Sequence, residues 1–138
     1  MKVAVKYLLD TNICIYAMNR SSGSVMRKML DVGSDALCIS SMVAAELAFG
    51  VARSDAAYRA KNKQNLQRFI SSIEVLPWTH AAMWHFGEQR QRLKLSGQPI
   101  GEIDLLIGAQ ALASDLVVVT NNIKEFQRID GLKLENWV

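Results

Sequence analysis

Two rhythms of apolar residues alternate along this chain. Short unbroken runs at 5–9, 36–39 and 116–120 have the length and β-branched character of strands buried on both faces. Residues 72–76, closed by Pro77, and residues 133–137 read as two further strands. Between them the apolar spacing turns helical. A helix starts over 11–19, a Ser/Gly loop occupies 21–24, and a second helix runs over 25–32. Ser40 or Ser41 suits the N-cap of a helix reaching about Arg53. Asp55 opens another, with Tyr58, Asn62, Leu66, Phe69 and Ile73 along one face. Thr79 begins a long helix ending near Ser96-Gly97, and a loop over 97–101 containing Pro99 leads into a helix over 103–113.

Strands alternating with helices predict an α/β fold, with a mostly parallel central sheet flanked by helices in right-handed βαβ units. The 138 residues suit a single domain, 1–138, and show no repeats, low-complexity segments or composition breaks. In such a fold ligands bind beyond the carboxyl ends of the strands, where the strand order reverses. Asp10, Ser40 and Thr120-Asn121-Asn122 fall at such ends.

Composition narrows the class. Half the residues are hydrophobic and 21% are charged, an ordinary globular balance. No apolar run approaches the roughly 20 residues of a membrane span. The opening MKVAVKYLLD is a short apolar stretch ending in an acid, which reads as a first strand rather than a secretion signal. Cys14 and Cys38 each sit in an apolar stretch and read as buried, inert thiols of a cytoplasmic protein. The net charge of +3 is unevenly placed. Arg53, Arg59, Lys61, Lys63, Arg68, Arg90, Arg92 and Lys94 face only Asp55, Glu74 and Glu88 over the same stretch. That excess is either a solvated helix surface or an attraction for a polyanion.

Three acids stand out. Asp10, at the mouth of the first strand, either holds a cation or caps the next helix. Glu46 shares the side of its helix that carries Val43 and Gly50, so it is expected to turn inward, where an unpaired charge is costly. Asp104 opens the helix carrying Ile107, Gly108 and Ala111, and that apolar face selects it over Glu102 as the acid pointing inward. Carboxylates from three separated segments suit a hard divalent ion such as Mg²⁺ or Mn²⁺, and the lack of His or Cys among them disfavours zinc. His80 and His85 lie five apart on one helix, well around from each other, and read as structural. Met26, Met29, Met42 and Met83 read as core or interface filler, and Trp137 as an anchor for the last strand.

Taken together, Leu8-Leu9-Asp10-Thr11-Asn12, the run 41–47 followed by Gly50, the segment 97–101 followed by Asp104, and Val118-Val119-Thr120-Asn121-Asn122 with Glu125-Phe126 resemble the PIN-domain ribonucleases. The nearer likeness is to the VapC-type toxins of toxin–antitoxin pairs, and the ending Gly131-Leu132 to Glu135-Asn136-Trp137 belongs to it. The resemblance spans nearly the whole chain and is thinnest between about Gly50 and Ile70. It implies a PIN-like fold, Mg²⁺- or Mn²⁺-dependent endoribonuclease activity, a homodimer and a cognate VapB-type antitoxin. It maps the family's three core acids onto Asp10, Glu46 and Asp104, and its frequent fourth acid onto Asn122, an amide that supplies no charge. Asn12 and Thr120 become supporting polar residues that position ligands and waters.

Arg59 and Lys63, four apart on one helical face, and Arg90 and Lys94 on another, become candidates for RNA phosphates. Apolar positions of the helices at 25–32 and 55–72 are expected to form a groove for a partner segment carrying a basic residue into the acidic site. Two other readings stay open. One is a catalytically weak RNA- or antitoxin-binding PIN-like protein. The other is a phosphoryl-transfer enzyme with Asp10 as nucleophile, for which Asp10-Thr11-Asn12 lacks the usual second acid.

Overall fold

The computed structural model describes residues 6–138, so Val5, the first residue of the earliest predicted strand, lies outside the described residues. Five parallel strands form one sheet in the order β3-β2-β1-β4-β5. They are β1 (Tyr7–Leu9), β2 (Leu37–Ser40), β3 (Glu74–Leu76), β4 (Val117–Val119) and β5 (Lys133–Glu135). The central strands explain the unbroken apolar runs. Leu8, Leu9, Cys38, Ile39, Val118 and Val119 are wholly buried, because helices cover both faces of the sheet.

Seven helices connect the strands: α1 (Thr11–Asn19), α2 (Gly23–Val32), α3 (Ser41–Ala52), α4 (Ala56–Ser72), α5 (Met83–Leu95), α6 (Glu102–Ser114) and α7 (Ile123–Phe126). Polar residues set several of their starts. Ser22 accepts from the Val25 amide and starts α2 two residues earlier than its apolar spacing predicts. Ser40, rather than Ser41, caps α3 by accepting from the Met42 amide at 3.0 Å. Ser41 instead accepts from the Trp78 amide at 3.0 Å and ties α3 to the end of β3.

Boundaries differ where polar chemistry outweighs apolar spacing. Helix α4 runs on to Ser72, so β3 is shorter than predicted. The segment opening at Thr79 begins as a 3₁₀ turn, His80–Ala82, before α5. The short helix α7 was not foreseen. The face predicted for α4 is only partly used: Leu66, Phe69 and Ile73 pack against the core, whereas Tyr58 is 61% exposed. Trp137 is buried, its ring edge-on to Tyr7 of β1 at 5.1 Å, so it pins the chain beyond β5 to the sheet.

Strand order places a crevice. From β1 the chain moves outward through β2 to β3, then returns across the sheet to β4 on the other side of β1. The reversal falls between β1 and β4, the position where parallel α/β sheets open a cleft. Asp10 follows β1 and Thr120 follows β4, so both stand at that cleft.

Helix α6 lies against the segment beyond α7 through Gly108. A Cβ at that position would stand 2.4 Å from Cδ1 of Ile129, itself buried. Gly108→Ala should therefore force Ile129 off its packed position, costing about 1–3 kcal/mol. Urea unfolding of the variant checks this, and an unchanged midpoint would show that the segment yields freely.

Candidate active site

Asp10 serves as cap and as charge together. Its Oδ1 accepts from the Ile13 amide at 2.9 Å, which makes it the N-cap of α1. The residue is also 5% exposed, and it sits beside other acids. Burial pushes its pKa up and the Glu46 charge adds to that, while the Thr120 hydroxyl and the Ile13 and Asn12 amides pull it down. Capping and charge are thus two uses of one side chain.

Asp104 is the second half-buried acid of the site. Its pKa is raised to about 6, first by burial and then by the charges of Asp10, Glu125 and Glu46. Glu125 also bonds to it side chain to side chain, which favours the protonated form. Glu102, one residue into the same helix, turns outward to pair with Arg90 at 3.3 Å. The helix N-terminus therefore splits its two acids between solvent and cleft.

Glu46 departs from expectation. It is exposed rather than turned toward the core, because Val43 and Leu47 take the buried positions of α3. It stands on the rim of the cleft, where the Thr11 hydroxyl donates to Oε1 at 2.8 Å. Its charge still reaches Asp10 and Asp104.

The fourth carboxylate at the site is Glu125 of α7, which the residue-by-residue reading of the sequence left without a role. Asn122, where the fourth acid was expected, instead donates from Nδ2 to Glu125 Oε2 at 2.8 Å. Its own amide donates to Thr120 Oγ1 at 2.8 Å. Thr120 is wholly buried and so links the two sides of the cleft, Asp10 and the start of α7. The signal was present in Asn122-x-x-Glu125 followed by Phe126. Phe126 is completely buried and fixes the turn of helix from which Glu125 projects.

The site thus gathers Asp10, Glu46, Asp104 and Glu125, with Thr11, Thr120 and Asn122 as hydrogen-bonding partners. None of the ion pairs among the described residues involves these four acids. An all-oxygen donor set without an intramolecular cation could take a hard divalent ion. No three acids, histidines or cysteines among the described residues close into a ready-made metal cluster. That pattern suits an ion bound by one or two carboxylates together with water and substrate phosphate better than an all-protein cage.

Other candidates fall elsewhere. Asn12 is exposed on α1, at the cleft end of a groove described below. Burial raises the Cys14 pKa well above its ordinary value, with a further push from Asp10. Burial, and then Glu74, raise that of Cys38 to about 12. Neither thiol is a nucleophile. His80 and His85 lie at the start of the α5 segment and make no hydrogen bond to the four acids.

Arg59, Lys63, Arg90 and Lys94 are all exposed. Arg59 donates to the Ser54 carbonyl at 2.9 Å, and Arg90 is engaged by Glu102. Arg90 and Lys94 line a pocket of about 230 Å³ with Pro99 and Glu102, which none of the four acids lines.

A larger groove of about 620 Å³ runs from Thr11, Asn12 and Glu46 between α1, α3 and α4. Ile15, Met18, Phe49 and Leu66 supply its apolar walls, and Phe49 is 64% exposed. The expectation that α2 would form one wall is incorrect. Helix α2 lines none of this groove, and its Leu30 points to solvent at 81% exposure. Helices α1 and α3, which follow the neighbouring strands β1 and β2, take its place.

Comparison with known proteins agrees with this architecture. The PIN domain family model matches residues 7–132. Ribonuclease VapC2 of Rickettsia felis is 42% identical over 132 residues, covering 95% of this chain and 97% of that protein. The tRNA(fMet)-specific endonuclease VapC of Shigella flexneri is 38% identical over 133 residues, covering 96% and 98%. The chain belongs to the PIN-domain family, in its VapC ribonuclease branch. Among solved structures, VapBC2 of Rickettsia felis bound to a fragment of promoter DNA superposes with a TM-score of 0.88. Its sequence is 40% identical, over 97% of this chain and 100% of that one.

The crowding of acids has a measurable cost. An acid whose pKa is higher folded than unfolded binds more protons in the native state, so stability falls as pH rises between the two values. For Asp104 that window runs from 3.8 to about 6. Asp104→Asn removes the penalty. In chelator the variant should equal the parent near pH 3.5 and exceed it by about 1–2 kcal/mol at pH 7, after discounting for solvent screening. Urea unfolding across that range checks it, and a constant difference at every pH would place the repulsion elsewhere.

Proposed function

We propose that the protein is the toxin of a toxin–antitoxin pair, a Mg²⁺- or Mn²⁺-dependent endoribonuclease acting at the cleft between β1 and β4. The observation that carries this is the meeting of Asp10, Glu46, Asp104 and Glu125 with none of them ion-paired among the described residues. The relatives named ribonuclease and endonuclease support the RNA substrate, and a cytoplasmic site of action follows from it.

Asp10 and Asp104 hold the divalent ion, with Glu46 and Glu125 completing its surroundings. Bound there, the ion supplies Lewis acidity toward a phosphate oxygen and makes water a better nucleophile at neutral pH. Thr11 fixes Glu46 through Oε1, leaving Oε2 to orient the attacking water and accept its proton. Asn122 holds Glu125 and Thr120 holds Asp10, so the two walls of the cleft keep their spacing. Arg90 and Lys94 on α5, and Arg59 and Lys63 on α4, hold RNA phosphates away from the acids themselves.

The reading of a catalytically weak binding protein rested on the missing charge at Asn122. Glu125 supplies that charge from three residues further on. An aspartyl nucleophile is disfavoured because the position two residues on, where that chemistry has its second acid, is Asn12. Asparagine caps a helix as well as aspartate does, so Asp10→Asn isolates charge from fold. The variant should keep its circular dichroism and lose about a hundredfold or more of its RNA cleavage. Cleavage by the parent should require Mg²⁺ or Mn²⁺, stop in EDTA and not return with Zn²⁺. Persistent cleavage in chelator would overturn the metal assignment.

The groove between α1, α3 and α4 is the seat of the VapB-type antitoxin in this reading, since it carries exposed apolar side chains, Phe49 among them, and ends at Glu46. VapBC complexes among the similar solved structures support such a partner. A basic antitoxin side chain entering at Glu46 would neutralise the cleft. We also read the chain as a homodimer, to which the exposed Met83 and Trp84 of α5 offer an apolar contact. Phe49→Glu should weaken antitoxin binding by about tenfold or more while leaving RNA cleavage within a factor of two. Calorimetric titration with the antitoxin checks this, and unchanged affinity would exclude the groove.

A further inference from the structure

The acids Asp104 and Glu125 approach from elements that share no strand. Asp104 is reached through the loop 97–101, and Glu125 through α7. Two carboxyl groups that meet from separate segments take their spacing from whatever ties those segments together. Arg128, three residues after Glu125, reaches across to that loop and donates from Nη1 to the Pro99 carbonyl at 3.0 Å.

Arg128 has a firm footing for that reach. Its own carbonyl accepts from Arg92 Nη2 of α5. Gln89 Oε1 accepts both from Arg92 Nη2 at 2.8 Å and from the Asp130 amide at 3.2 Å. Arg92 Nε stands 3.0 Å from Asp130 Oδ2 as an ion pair without hydrogen-bond alignment. On the other side Ile129 fills the space over Gly108 of α6. The segment 128–130 is thus gripped by α5 and α6, and its arginine grips the loop that leads to Asp104. The ring closes as Asp104, the start of α6, Pro99, Arg128, α7 and Glu125.

We infer that Arg128 is a positioning residue: its bond to the Pro99 carbonyl sets the distance at which Glu125 meets Asp104. It bonds to none of the four acids, and it acts through the placing of Glu125. This rests on the ribonuclease reading above for its kinetic consequence, and on the geometry alone for its structural one.

Two measurements separate those dependences. In the first, the side-chain amide of Asn122, bonded to Glu125, reports the position of that acid by ¹⁵N–¹H NMR in chelator, without RNA. Arg128→Ala should shift and broaden the Asn122 side-chain signals, and Arg128→Lys, which can still donate to Pro99, should restore them. The unfolding midpoint of Arg128→Ala should move by less than about 4 °C. An unmoved Asn122 signal would overturn the proposal whatever the activity of the protein.

In the second, single-turnover RNA cleavage by Arg128→Ala should lose about tenfold in kcat with KM within a factor of two, and Arg128→Lys should recover most of it. In a Glu125→Gln background, Arg128→Ala should cost less than about twofold more, because the group it positions is already gone. Fully additive losses, or a rise in KM alone, would show that Arg128 acts on RNA or on the fold rather than through Glu125. Absence of cleavage by the parent would defeat the ribonuclease reading and leave the NMR result to stand by itself.

Discussion

Mutual repulsion among carboxylates at one cleft is the constraint around which this structure is arranged. Four acids meet there from α3, α6, α7 and the end of β1; burial raises the proton affinity of Asp10 and Asp104, and the acidic neighbours of each raise it further. A group of like charges costs stability wherever it is partly desolvated. The remainder of the fold supplies what keeps them there: a wholly buried sheet beneath, amides and hydroxyls at the cleft walls, and a clamp of side chains behind α6 and α7. A positively charged residue of the chain could have neutralised the cluster. The nearest acid on α6, Glu102, takes Arg90 for itself on the outer side, and the cleft is left with its charge.

The division of labour between the two walls follows from the sheet. Asp10 is buried, ends the wholly buried strand β1 and caps α1 through the Ile13 amide. Glu125 stands on a helix of only four residues, held from within by Phe126 and from outside by Asn122. One wall is therefore built on core, and the other on a short element that depends on side-chain contacts. Glu46, exposed and fastened by a single hydroxyl, has the greatest freedom of the four. That graded mobility suits a site where some groups hold position and one reorients with a reacting water.

The sheet was legible because buried parallel strands write themselves as apolar runs, and three of the five did so. Its two edge strands were legible through Pro77 and Trp137 rather than through apolar density, and their limits were correspondingly loose. The location of the site was legible too, since Asp10 and Thr120 end strands whose neighbours lie in opposite directions. What escaped was set by contacts between distant residues. Helical periodicity put Glu46 on the inner side of α3, although the side chain bends to the rim to meet Thr11 from another helix. Glu125 lay on an element too short to show a period, so its role emerged only when α7 was seen against Asp104. The groove was assigned to α2 and α4 from their surplus apolar residues; α4 does line it, but the crossing with α1 and α3 decides where the concave surface forms.

Strand pairing also bears on how the protein is born. β1 has its partners in β2 and in β4, so the N-terminal strand waits for a segment more than a hundred residues downstream before its second edge is covered. The cleft lies on that last seam. Asp10 is made well before Asp104 and Glu125, and Trp137 locks β5 later still. A nascent chain therefore keeps these acids apart until α6, β4 and α7 have followed β1 out and joined the sheet. The crowded cleft is thus a product of the final pairing of β1 with β4, not of any segment taken alone.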